Sequence, residues 1–229
     1  MGQHANIYGI DIETDTSRDA LDPAVAPVLT IALSGRTFDD VFIGDEATML
    51  RALDDRLASL APGVLATWNG ATFDLPFIAE RARLLGVDLD LRLCLDRRLT
   101  LGRAPLPGHA GAYRGVWGAH VHLDTFRLFG QSPAGPWTSL RSIGRLLGVG
   151  TGGAGSRPGK DLADEALHAH AASDARLARV LAERRWGAAA RLLDHVDVDE
   201  ARPVNVAVQR LARQARHEGV VLRPAVAAG

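Results

Sequence analysis

Residues 7–13 read IYGIDIE, and their alternation decides the fold. Successive side chains of a strand point to opposite faces. Tyr8, Ile10 and Ile12 therefore share one face, and Ile7, Gly9, Asp11 and Glu13 share the other. Two carboxylates project side by side from one strand end. Burying an unpaired charge is costly, so these acids are expected to have partners or a chemical task.

Outward from this strand, PVLTIALS (27–34) and DVFIG (40–44) read as the next two strands, with a turn near Gly35. Asp45 can cap a helix whose stripe is Met49/Leu50, Leu53, Leu57 and Leu60. Pro62-Gly63 ends it, and VLATW (64–68) is a short buried strand. Asn69-Gly70 turns the chain into a second helix over about residues 74–85. Pro76 falls in its first turn, where a missing N–H is harmless, and Gly86 closes it. VDLDLRL (87–93) reads as an edge strand, and residues 94–118, rich in Gly, Pro and Arg, as an irregular insertion. AHVHLDT (119–125) is another alternating strand. TSLRSIGRLLG (138–148) is a helix with a Thr or Ser cap and a Leu140/Ile143/Leu147 stripe. After a glycine-rich linker, residues 161–186 are strongly helical, in one piece or two, and a last helix spans about 203–218. Strands alternating with helices predict an α/β fold with a mixed central sheet flanked by helices. The expected division is a domain over residues 1–188 and a helical extension over 189–229.

Composition excludes several classes. With 229 residues the chain can bury roughly 70% of its unfolded surface without covalent staples. A single cysteine, Cys94, rules out an internal disulfide and a Cys-rich zinc site. No secretory segment and no apolar run of about 20 residues is present, so a cytoplasmic protein with no membrane span is expected. The net charge of −1 attracts no polyanion globally. Five arginines lie between Leu91 and Arg114 with Asp96 as the one acid among them, either a nucleic-acid patch or a solvated loop. The linker GVGTGGAGSRPGK ends like a phosphate-binding loop, but Ala154 stands where its first glycine belongs and Asp161 follows Lys160. His120, His122 and Asp124 share a strand face; a polar strand face explains them more simply than a metal trio.

Two further acids point inward. Asp74 stands between Phe73 and Leu75 at the start of the second helix. Asp174 lies on the apolar stripe of Leu167, Ala171, Leu177/Ala178 and Leu181, with His170 one turn before it. Four inward carboxylates would repel one another and raise one another's pKa values. Divalent cations resolve that repulsion, and hard oxygen ligands select Mg²⁺ or Mn²⁺. Paired metals about 3.5–4 Å apart stabilise the attacking and leaving oxygens of a phosphoryl displacement.

The stretches DIET (11–14), NGATFD (69–74) and HAASD (170–174) resemble the three motifs of the DEDD superfamily of 3′→5′ exonucleases, which share a ribonuclease H-like fold. WNGATFDLPFIAERARLLG, HLDTFRL and SLRSIGRLLG are similar to segments of the proofreading domain of family B DNA polymerases. The resemblance covers residues 5 to 187; no polymerase follows, which suggests a stand-alone nuclease. It implies that Asp11, Glu13 and Asp174 ligate one metal, that Asp11 bridges to a second, and that Asp74 holds the second directly or through water. It also implies that Thr14, Asn69 and Phe73 lie near the terminal nucleotide, Phe73 either stacking on a base or serving as a core aromatic.

The third motif departs from the family pattern, which has Tyr four residues before the last Asp or His five before it. Here His170 stands at the four-residue spacing and Ala169 at the five. His170 is expected to deprotonate or position the attacking water, or else only to orient Asp174. The implied reaction releases 5′-mononucleotides from a single-stranded DNA 3′ end, with RNA possible. The rivals are an exoribonuclease, an endonuclease and a nucleic-acid-binding module without turnover.

Overall fold

The computed structural model of the chain describes residues 5–17, 19–96, 106–129, 139–149 and 160–193. The stretch that opened the sequence analysis forms β1 (Asn6–Thr14). It lies inside a seven-stranded mixed sheet of the described residues, flanked by β2 (Val28–Ser34) and β4 (Gly63–Thr67). β3 (Asp39–Ile43) extends the sheet beyond β2. Beyond β4 come β7 (His120–Asp124), β6 (Tyr113–Trp117) and β5 (Leu91–Leu95), giving the order β3-β2-β1-β4-β7-β6-β5. β1 runs antiparallel to β2, with Asp11 opposite Ala32, and parallel to β4. β4 and β7 are also parallel, so the C-terminal ends of β1, β4 and β7 share one rim.

The expected alternation of β1 separates two cores. Tyr8, Ile10 and Ile12 pack with Met49, Leu50, Leu53 and Leu57 of α1 (Glu46–Ser59) and with Leu75, Phe77 and Ile78 of α2 (Asp74–Leu85). Each such side chain is worth about 1.5–3 kcal/mol when fully buried. The Asp45 cap is present, its carboxylate accepting from the Thr48 N–H at 3.0 Å. Gly86 caps α2 with φ 66°, the left-handed conformation that glycine adopts without strain.

On the other face lie α5 (Lys160–Arg184) and α6 (Trp186–Leu193), which break near Arg185. α4 (Leu140–Leu146) is capped by Ser139 and packs Leu140 and Ile143 on Leu177 and Leu181. α6 spans the expected boundary at residue 188, and Ala189 is buried with Ile7, Val64, Ala66 and Leu123. Among the described residues no helix is long and apolar enough to cross a membrane.

One expectation is corrected. Residues 94–118 are not wholly irregular, because β5 ends at Leu95 and β6 occupies Tyr113–Trp117. Gly115 masks the strand pattern of β6: it faces inward, where a Cβ would come within 2.8 Å of Leu75 Cδ1. The polar strand face of His120, His122 and Asp124 is buried. A short helix unforeseen in the sequence, α3 (Phe126–Phe129), follows β7. Most of the glycine-rich linker, Arg97, Arg98 and Arg103, the acidic run 194–200 and the helix at 203–218 lie outside the described residues.

Candidate active site

The site forms where β1 meets α5. Gly9 permits the contact: a Cβ on it would lie 1.8 Å from the Ala175 carbonyl oxygen. Ala32, Ala171 and Ala175 continue this small-residue seam. The close approach sets Asp174 and His170 of α5 over Asp11 and Glu13, which share Gly9's face of β1. Glu13 and Thr14 also flank an irregularity in the β1–β2 register, where the strand end bends.

Asp74 arrives from the opposite layer. Leaving β4, the chain turns at Asn69, whose φ of 67° makes it the one non-glycine positive-φ residue among those described. The carboxylate of Asp124 holds that turn. Its Oδ1 accepts from the backbone N–H of Asn69 at 2.8 Å and of Phe126 at 3.0 Å, and its Oδ2 from that of Ala71 at 3.3 Å. The Thr67 Oγ1 accepts from the Gly70 N–H and meets His122 Nε2 at 2.8 Å. His120 Nε2 lies 2.9 Å from the Leu57 carbonyl. The buried trio therefore braces the strand ends. Asp124 is the functional residue that sequence reasoning undervalued; its only signal was an acid at a strand end facing a turn 55 residues away.

Electrostatics join the four acids. Burial pushes Asp11 well above the usual carboxylate range, and Asp74, Asp174 and Glu13 add to the effect. Asp74, 3% exposed, is pushed up to about 8, chiefly by burial; Asp124 and Glu13 add repulsion and the Ile12 backbone opposes it. Asp174, 9% exposed, is raised by burial while His170 and Arg141 pull it down. Asp124 is raised to about 6 by burial against its three backbone donors.

Two basic side chains of the chain itself face this excess. His170 Nδ1 lies 2.7 Å from Glu13 Oε1 and 3.7 Å from Asp174 Oδ2. Both contacts become ion pairs when the imidazole is protonated. Glu13 raises the pKa of His170 above the ordinary histidine value, against desolvation. Arg141 Nε lies 3.3 Å from Asp174 Oδ1. Among the described residues no three His, Cys, Asp or Glu side chains converge as a metal-holding group. In donor chemistry and mutual repulsion, however, the carboxylates fit a hard divalent cation.

The residues expected to contact substrate are engaged locally. The Thr14 hydroxyl donates to the Ala20 carbonyl at 3.1 Å, leaving its backbone at the strand end. Asn69 Oδ1 accepts from the Thr72 hydroxyl at 2.7 Å. The Phe73 ring is partly buried, 5.3 Å from that of Phe77 and packed on the core, with part of its surface left open.

Residues 37–103 match the family model described as DNA polymerase family B, exonuclease domain. DNA polymerase 2 of Aeropyrum pernix is 31% identical over 118 residues, covering 47% of this chain and 13% of that protein. The chain thus spans about an eighth of that relative. The structure of the family B DNA polymerase from the archaeon Pyrobaculum calidifontis superposes with a TM-score of 0.65 at 21% identity. That likeness covers 100% of this chain and 31% of the polymerase, and it bears on the fold, which is ribonuclease H-like. Sequence match and fold agree: this chain is similar to the exonuclease domain of family B DNA polymerases.

Proposed function

We propose that the protein is a 3′→5′ exonuclease that hydrolyses the terminal phosphodiester of single-stranded DNA and releases 5′-mononucleotides. The observation that carries this reading is the mutual field of Asp11, Glu13, Asp74 and Asp174, drawn from three distant segments to one strand rim. These four residues would hold two divalent cations, Mg²⁺ or Mn²⁺, whose charge favours both the attacking and the leaving oxygen of an in-line displacement. His170 takes the proton of the attacking water. Its Nδ1 faces Glu13, and its ring is 41% exposed, so Nε2 is the nitrogen that a water reaches. Phe73 stacks on the terminal base, and the Thr14 backbone and Asn69 side chain position the terminal nucleotide. Cytoplasmic action on a nucleic-acid partner belongs to the same proposal.

The test is a single-stranded DNA oligonucleotide labelled at its 5′ end and incubated with Mn²⁺. A shortening ladder with free 5′-mononucleotides is expected, and Asp11→Ala should abolish it. A gel shift without shortening would leave a binding module instead. A matched RNA oligonucleotide separates the ribonuclease reading, and cutting of a circular single strand would mean an endonuclease.

A further inference from the structure

Arg141 belongs to none of the acid motifs, yet it faces their pocket. α4 fixes it there, because Leu140 and Ile143 pack on Leu177 and Leu181 of α5, the helix that carries Asp174. Its side chain is 29% exposed, and its charge acts on Asp11, Asp174 and His170 together. Its contact with Asp174 is single, through Nε at 3.3 Å. Two other arginines of the chain show what a committed carboxylate pair looks like. Arg81 grips Glu46 through Nε at 2.8 Å and Nη2 at 2.5 Å, and Arg83 grips Glu80 through Nε at 3.0 Å and Nη2 at 2.7 Å. Arg141 uses neither terminal nitrogen on any described residue. A planar fork that no described residue engages, beside Asp174 and within the field of Asp11, matches the paired oxygens of a phosphate.

We propose that Arg141 is a phosphate-binding residue of this site: it rests on Asp174 while the acids lack metal, and it grips the non-bridging oxygens of the strand's terminal phosphate once divalent cations take Asp174. The proposal rests on the exonuclease reading above and adds to it a residue that couples metal entry to substrate capture. Two of the acids, Asp174 and Glu13, are in contact with Arg141 and His170.

The full chain and its Arg141→Gln and Arg141→Lys variants decide the matter, with folding checked by circular dichroism. Mn²⁺ binding is followed by the resonance signal of the free ion, and binding of thymidine 5′-monophosphate and of thymidine by calorimetry with Mn²⁺ present. Removing the guanidinium charge in Arg141→Gln should tighten Mn²⁺ binding roughly tenfold, since a like charge leaves the pocket. The same change should weaken thymidine 5′-monophosphate binding by about tenfold or more and leave thymidine unaffected. Arg141→Lys should hold Mn²⁺ as the wild type does but bind the monophosphate more weakly. Equal monophosphate affinity in wild type and Arg141→Gln would overturn the proposal. Should Arg141→Gln fail to fold, equal affinity in wild type and Arg141→Lys would do the same. If the wild type takes up no Mn²⁺ and shortens no oligonucleotide, the exonuclease reading itself fails. If it does both while the Arg141 variants match it, only the role of Arg141 falls.

Discussion

Asp74 is a carboxyl group whose ionisation works against the fold as the solution becomes alkaline. Its pKa rises from the ordinary 3.8 to about 8 in the folded chain, so the folded state holds a proton that the unfolded state has released. Stability therefore falls with rising pH across that window. Asp11 and His170, also raised, act in the same direction. His122 opposes them, being lowered from 6.5 to about 3 by burial, but its contribution is complete above its unfolded pKa of 6.5. Between about pH 6.5 and 8 all of these shifts act with one sign. Asp74 alone should cost about 2 kcal/mol across this interval in metal-free protein. Thermal melts in EDTA should show Tm dropping by roughly 5 °C over that range, and Asp74→Asn should flatten most of the slope. A level profile for the wild type would contradict the buried, mutually repelling acids.

His170 belongs to the same scale. If it takes the proton of the attacking water, His170→Ala should lower single-turnover hydrolysis at least about 10²-fold. Near-wild-type turnover would leave it only the task of holding Glu13 and Asp174. The inward acids were legible in the sequence because they sit at fixed periods within a strand and a helix, where facing follows from spacing. Asp124 and Arg141 were not. Asp124 matters through a turn 55 residues away and Arg141 through a helix 33 residues on, and neither separation has a period.

At the scale of elements, the seam between β1 and α5 governs the geometry of the site. Adding one methyl at Gly9 would meet the Ala175 carbonyl at 1.8 Å, a distance that only movement of the helix can relieve. Gly9→Ala should destabilise the protein by about 3 kcal/mol in urea unfolding, the upper range for overpacking a tight core. It should also lower Mn²⁺ affinity, because α5 would carry Asp174 away from Asp11. Retained stability and affinity together would show that the seam yields. Elements with clean periods were readable: α1 with its Asp45 cap, and α2 between the Asn69 turn and Gly86. β6 was hidden because Gly115 interrupts its inward face between Tyr113 and Trp117, and α3 because four residues are too few to show a helical period.

At the scale of the whole molecule, the layers close through α6 rather than stopping at α5. Ala189 fills a core position against Ile7, Val64, Ala66 and Leu123, so the expected division at residue 188 cuts through a packed helix. A chain ending at residue 188 should melt several degrees below one ending at residue 193. Coincident melting curves would mean that α6 adds nothing to the fold. The net charge of −1 gave no sign of a substrate, because the proposed chemistry is concentrated in four carboxylates rather than spread over the surface.

The interior position of β1 has a consequence for how the protein breathes. Its first half, Asn6–Gly9, pairs with β4 and its second half, Gly9–Thr14, with β2, helices cover both faces, and it lies two strands in from the β3 margin. Fraying at either margin leaves Asp11 and Glu13 where they are. Deuterium should therefore enter the β1 amides only when the entire domain opens, and loss of cation binding should coincide with global melting rather than precede it.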